Sequence, residues 1–239
     1  MRIILLLFCI VFLNATKIEA TYSAKYGWFG TIATAKGIFE RNNTKYQITT
    51  TVNAKGIAAA LSGNLMQTYK SIGIIKNGLL IPQKYIVDIK RNGNDYYRVH
   101  IFNHKKKEII KIRYKNGKLT KKYKIPYAPY DVLSLYWNLP KLIKEKKHYT
   151  FYAIGGRKKD GRIDITFPNK EEINQLKKSL KKSGLYIKAN LYNKVFVGDK
   201  GVLYLVINPK NWVTLAGMVK NVLKIGDLKG EIKSLKKLN

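Results

Sequence analysis

From residue 21 to about residue 126 the chain alternates apolar and polar positions, the period at which a strand turns one face to a core and the other to water. Within residues 44–52, Tyr46, Ile48, Thr50 and Val52 fall on one side and Lys45, Gln47, Thr49 and Thr51 on the other. The same spacing predicts Tyr85, Val87 and Ile89 facing inward against Lys84, Asp88 and Lys90, and Ile110, Ile112 and Tyr114 facing inward against Lys111, Arg113 and Lys115. Strands covered on one side only belong to antiparallel sheets. Asn42-Asn43, Asn77-Gly78, Asn92-Gly93 and Asn116-Gly117 mark the turns, because Asn and Gly tolerate the positive φ of tight hairpins.

Three segments leave this pattern. Residues 54–61 are rich in Ala and predict a short helix ended by Gly63. Residues 131–144 set Val132, Leu135, Tyr136 and Leu139 on one helical stripe, with Asp131 as N-cap and Pro140 as a kink or stop. Asn169 and Glu172 have capping-box spacing, Ile173, Leu176 and Leu180 form the apolar stripe behind them, and Gly184 suits the C-terminal position. Strands resume over residues 148–154, 162–167, 185–192, 194–197, 202–207 and 213–223. The fold class expected is mainly β: a curved antiparallel sheet or open half-barrel of ten or more strands, closed by a short helix and joined by one or two others.

The amino end is of another kind. Arg2 precedes the apolar run 3–13, and a short polar stretch ends at Ala20, the layout of a secretory signal peptide occupying residues 1–20 and cleaved after Ala20. The run is shorter than the ~20 residues a membrane-spanning helix needs, and the mature chain contains no transmembrane candidate. Cys9 follows bulky Phe8, which disfavours a lipid anchor. Residues 21–239 then form one β domain without cysteine, so neither disulfides nor thiol chemistry is available to it. A periplasmic bacterial protein is the expectation.

Charge narrows the partners. The 239 residues carry 46 basic and 14 acidic side chains, a formal charge of +32, and 39 of the basic residues are Lys. Lysine lacks the planar fork that reads bases, and this together with export argues against nucleic acid. An anionic envelope component is the partner such a surface would fit.

The opening from Tyr22 to Gly37 with Tyr26-Gly27-Trp28-Phe29-Gly30 at its centre, then Gly78-Leu79-Leu80-Ile81-Pro82 and Tyr85, then Pro129, Asp131, Leu133, Ser134 and Tyr136 resemble the exported bacterial family called domain of unknown function 3108, over roughly residues 21–223. The resemblance implies a periplasmic antiparallel β protein built like a lipoprotein carrier, with no established activity. Physically, Gly27 and Gly30 permit a bend in the first hairpin, Pro82 suits an edge or the start of a strand, and Asp131 caps while Ser134 completes local backbone bonds.

Catalytic patterns are missing from the sequence: there is no nucleophile elbow, phosphate-binding Gly loop or Cys-His pair. His100 and His104 straddle a strand end and read as exposed hairpin residues, and Asp160-Gly161 with Asp164 reads as an inter-strand loop. No metal and no cofactor is expected. The favoured reading is a non-enzymatic binder of a lipid-like or amphiphilic ligand, with Trp28, Leu133, Tyr136 and Trp137 as cavity residues. An envelope scaffold that binds protein or anionic glycolipid through its lysines, and an unrecognised hydrolase, are the alternatives. Residues 40–44 resemble an extended bacterial glycosylation sequon, which makes Asn42 a candidate acceptor.

Overall fold

The computed structural model describes residues 16–156, 160–192, 200–222 and 226–238. Among them the chain forms β1 (Thr16–Tyr26), β2 (Thr31–Arg41), β3 (Lys45–Ala54), α1 (Gly56–Ser62), β4 (Met66–Lys76), β5 (Leu79–Arg91), β6 (Asn94–Asn103), β7 (Glu108–Lys115) and β8 (Lys118–Ile125). There follow β9 (Tyr130–Asp131), α2 (Val132–Leu142), β10 (Tyr149–Ile154), β11 (Arg162–Thr166), α3 (Lys170–Leu180), β12 (Leu185–Tyr192), β13 (Lys200–Ile207), β14 (Thr214–Val222) and β15 (Gly226–Leu238). All fifteen strands join one open curved sheet in the order β8-β7-β6-β5-β4-β3-β2-β1-β15-β14-β13-β12-β11-β10-β9. Every pairing is antiparallel except that of β9 with β10. The first and last strands are therefore neighbours in the middle of the sheet, and two meanders spread from that seam.

Local chemistry sets the joints. Asn77, Asn92 and Asn116 all take positive φ just before their glycines, as two-residue hairpins demand. Gly63 ends α1 in the left-handed conformation. Gly27 and Gly30 flank a 3₁₀ turn over Gly27–Phe29, and the β1–β2 register shifts beside it.

The core lies on both sides of α2, within the concavity. Leu135 and Leu139 pack on Ile165, Ile187 and Ile207 of the C-terminal half, whereas Leu133 and Trp137 pack with Phe39, Tyr46, Ile48 and Leu80 of the N-terminal half. Residues two apart on a helix point about 200° away from each other, so α2 is a wedge with an apolar stripe for each half. On the convex side α3 seats Leu176 against Tyr186, Tyr204, Val206 and Met218.

The structure amends several expectations. Pro82 keeps its expected edge character although β5 is an interior strand and the residue is fully buried: it precedes the Lys84–Ile101 pair at which β6 joins β5, and it lies beside the β4–β5 register shift between Ile72 and Gly73. In β7 the deeply buried residue is Ile109. Ile110, Ile112 and Tyr114 face outward on the convex side, opposite Ile101, Val99 and Tyr97. The strand holds apolar residues on both faces, so alternation alone leaves its parity open. α3 ends at Lys181 in the left-handed conformation, and Gly184 instead lets the start of β12 approach the Ile207 carbonyl. Pro140 is carried within the last turn of α2, which ends at Leu142. Residues 194–197 lie outside the described residues.

Candidate functional site

A hollow of about 260 Å³ lies under α2 at the centre of the concave face. Its floor follows from three small residues in register: Ala20 of β1 pairs with Gly37 of β2, which pairs with Thr50 of β3. The larger neighbours Ile18, Tyr22, Phe39 and Ile48 form the walls, and Leu133, Tyr136 and Trp137 of α2 form the roof. Trp137 stacks on Phe39 at 4.3 Å between ring centroids. The volume is just under the ~300–1,000 Å³ typical of small-molecule pockets, a size for an alkyl chain or small apolar group. Two depressions of about 530 Å³ lie elsewhere on the surface, one bounded largely by charged side chains such as Lys181, Lys182 and Lys229, the other by Lys17, Arg41 and Lys45 together with Tyr46, Ile72 and Leu238.

Polar bonds fix the roof at both ends. Asp131 caps α2: its Oδ1 accepts from the backbone N–H groups of Leu133 (2.9 Å) and Ser134 (3.0 Å), while the Asp131 N–H donates to Ser134 Oγ (3.1 Å). Its Oδ2 accepts from Ser71 Oγ (2.6 Å), and Ser71 also meets the Tyr46 hydroxyl (3.1 Å). Asp131, Ser71 and Ser134 are fully buried. Burial pushes the Asp131 carboxyl up to about 6, against the opposing pull of the bonds from Ser71, Ser134 and Leu133.

One turn later Asn138 takes the place of a strand. Its Nδ2 donates to the Leu80 carbonyl (2.9 Å) and its Oδ1 accepts the Leu80 N–H (2.8 Å). β6 joins β5 only from the Lys84–Ile101 pair onward, so Leu80 has no neighbour on that side and the amide completes its ladder. Tyr136 donates to the Trp212 carbonyl (2.6 Å) and bonds Thr214 Oγ1 (2.8 Å), tying the roof to β14 and the loop before it. Burial pushes its phenol up to about 12.

Of the residues singled out in the sequence, Leu133, Tyr136 and Trp137 line this hollow and Asp131 and Ser134 hold its roof. Tyr85 is buried below the start of α2, among Val87, Phe102 and Ile109. Trp28 stands apart, 84% exposed in the β1–β2 turn, where Phe29 stacks on it at 4.2 Å. Ala20 is buried inside β1, paired on both sides. Asn42 closes the β2–β3 turn, its Oδ1 accepting from the N–H groups of Thr44 and Lys45. Ser71, Asn138 and the Ala20-Gly37-Thr50 row went unnoticed; the sequence gives no local signal for groups that matter only across strands.

The remaining chemistry is internal. His100 is buried rather than exposed, bonded to the Tyr85 carbonyl at 3.2 Å, and burial aided by the charge of Lys111 pushes it down to about 4. His104 is likewise engaged, with Nδ1 on the Tyr127 hydroxyl and Nε2 on the Pro82 carbonyl. Buried Asp164 lies within β11, not in a loop, and gathers Arg162, Thr150 and His148. Among the described residues, no cluster of His, Cys, Asp and Glu has metal-binding geometry.

Comparison of the sequence with protein-family models and with curated proteins finds no match. Among solved structures, the β-barrel-like protein of domain of unknown function DUF1849 from Brucella abortus superposes with a TM-score of 0.52 at 8% identity, over 95% of this chain and 99% of that one. The likeness is one of fold and defines the class as β-barrel-like. No helix of the described residues is long and apolar enough to cross a membrane.

Proposed function

We propose that the protein is an exported, non-enzymatic binder that holds the apolar part of an amphiphile between the concave sheet and α2. The observation that carries this reading is the row Ala20-Gly37-Thr50, which leaves an apolar hollow beneath a roof pinned by Asp131, Asn138 and Tyr136. A sheet that needed only a core would fill that row with larger side chains, as it does with Phe39 and Ile48 alongside. Gly37 has ordinary extended φ, and a Cβ built there meets nothing closer than the Ala20 carbonyl at 4.0 Å. Gly37→Val therefore plugs the hollow at little cost to the fold.

The test has two arms. Organic extraction of protein purified from its native host, followed by mass spectrometry, should release a stoichiometric amphiphile. A dansyl-labelled fatty acid should bind the delipidated protein saturably and bind Gly37→Val roughly tenfold or more weakly. Equal binding by both proteins, or no binding by the parent, overturns the proposal. Export belongs to the same reading, and intact mass of the native protein checks it. A cut after Ala20 removes Ile18 and Ala20 from the wall of the hollow, a cut before Thr16 leaves β1 whole, and a chain retaining residues 1–13 defeats the export reading.

A further inference from the structure

One end of the sheet carries apolar side chains that serve no core. Both the β1–β2 turn and α1 lie at this end, and they are adjacent: the Lys55 N–H donates to the Ile32 carbonyl at 2.8 Å, and Gly56 sits against the Thr31 carbonyl. Neither the 3₁₀ turn nor α1 contains a buried residue. What they present is Trp28 at 84% exposure, Leu61 at 83% and Ile57 at 50%. The turn requires Gly27 and Gly30 for their positive φ, but nothing in the fold requires an indole between them. A Tyr26–Phe29–Trp28 ring stack stiffens the tip, with Trp28 outermost.

Cations fringe these knobs. Lys55 caps α1, Arg91 precedes the Asn92 that bonds Gly63 at the end of α1, and Lys25 and Lys229 face each other across β1 and β15 just below the turn. Glu231 draws on Lys25 at 3.6 Å, and it is also the partner of Lys233. We infer that this end of the sheet is a docking surface for an anionic lipid bilayer, with Trp28, Leu61 and Ile57 entering the interface and the lysine fringe meeting the headgroups. Trp is favoured at membrane interfaces, and basic residues beside apolar ones add attraction to anionic lipid. A protein partner fits less well. Lys is depleted from the centres of protein interfaces, whereas here the apolar knobs, on a 3₁₀ turn and a short helix, are fringed by it. Lysine, a point charge without directional geometry, suits the diffuse potential of a headgroup layer.

The inference does not depend on occupancy of the hollow. Flotation of the purified full chain with vesicles of phosphatidylglycerol in phosphatidylcholine should carry the protein with the vesicles, and vesicles of phosphatidylcholine alone should carry roughly tenfold less or lower still. Trp28→Ser with Leu61→Ser should lower binding to the anionic vesicles by roughly tenfold or more while leaving thermal unfolding unchanged, because both side chains are exposed. Brominated lipid should quench a component of the Trp emission that disappears in Trp28→Phe, a variant that keeps the apolar knob and still binds. Gly37→Val should float like the parent, which separates this surface from the hollow. Absence of flotation, flotation unchanged by the double variant, or equal binding to neutral vesicles overturns the inference.

Discussion

The two halves of the sheet differ in how many faces they cover. In the C-terminal half, β12 and β13 are sandwiched: Ile187 and Ile207 point to α2 while Tyr186, Tyr204 and Val206 point to α3. In the N-terminal half only the concave face is roofed, and the convex face shows Ile86, Val99 and Ile112 in a row flanked in register by Lys70 and Lys122. The two helices also use one capping motif in two environments. At α2 the box is buried, and Asp131 is pushed up to about 6. At α3 it is near the surface: burial would raise Glu172, but the bonds from Lys188 and Tyr204 and the Asn169 N–H outweigh it and hold the carboxyl down at about 2. The two carboxylates, one at the N-cap and one at N3, part in proton affinity because Asp131 is fully buried with only neutral donors to offset its desolvation, whereas Glu172 lies nearer the surface and is met by the Lys188 ammonium.

The largest effect that would probe this contrast is Leu135→Ala. Leu135 is buried on the wedge helix, and its loss should cost about 2–5 kcal/mol by urea denaturation. Because α2 bridges the halves, the loss should be felt as a single weakened transition. Leu176→Ala, under α3, should cost about 2–3 kcal/mol and leave hydrogen-exchange protection of β3 to β6 at parent values. Equal loss of protection in both halves would show that the halves are not distinguished by their covering.

Next in size is the pH profile of Asp131. Its folded pKa of about 6 exceeds the unfolded value of ~3.9, so its contribution is full below pH ~4 and is lost as the pH rises through about 6, roughly 2–3 kcal/mol in all. His100, held near 4, acts oppositely: its contribution is present above pH ~6.5 and lost as the pH falls through about 4. The quantity to measure is thus the difference between parent and Asp131→Asn, which keeps a capping oxygen but does not titrate. That difference should favour the parent progressively as pH falls from 7 to 4, and a flat difference would refute the assignment. The smallest effect is that of the exposed box. Asn169→Ala should cost about 1 kcal/mol by thermal unfolding. Glu172→Gln should remove a contribution that the parent loses as the pH falls through 4.5 toward 2.

How far the sequence could be read follows from the same contrast. The one-sided strands declare themselves, since Tyr46 with Ile48 and Tyr85 with Val87 alternate with polar residues and are buried as expected. All three helices were visible, two of them through their caps. β15 is not: Ser, two Gly and four lysines dilute its pattern, and its partner β1 overlaps the expected signal peptide. Trp28 looked like a cavity residue because aromatic content says nothing about direction, and a turn tip can face away from the fold. The roof of the hollow was legible as an apolar helix, whereas its pins, Ser71 to Asp131 and Asn138 to Leu80, join residues 60 and 58 positions apart and carry no local signature.

The seam between β1 and β15 has a consequence in time. Neighbouring strands from β2 to β8 are joined by short turns or by α1 and can pair as soon as their residues are available, but β1 waits for β15, and Lys17 meets Leu238 across 221 positions. Until then β1 and the later strands each present an open edge, the kind of surface on which chains pair wrongly with one another. Lys25 opposite Lys229, and Lys236 and Lys237 opposite Glu19 and Ile18, place charge along both waiting edges. Refolding should therefore be limited by a slow step that rejoins the chain ends, and a circular permutant linking Leu238 to Thr16 and opened at Asn92-Gly93 should lose that step while keeping the sheet.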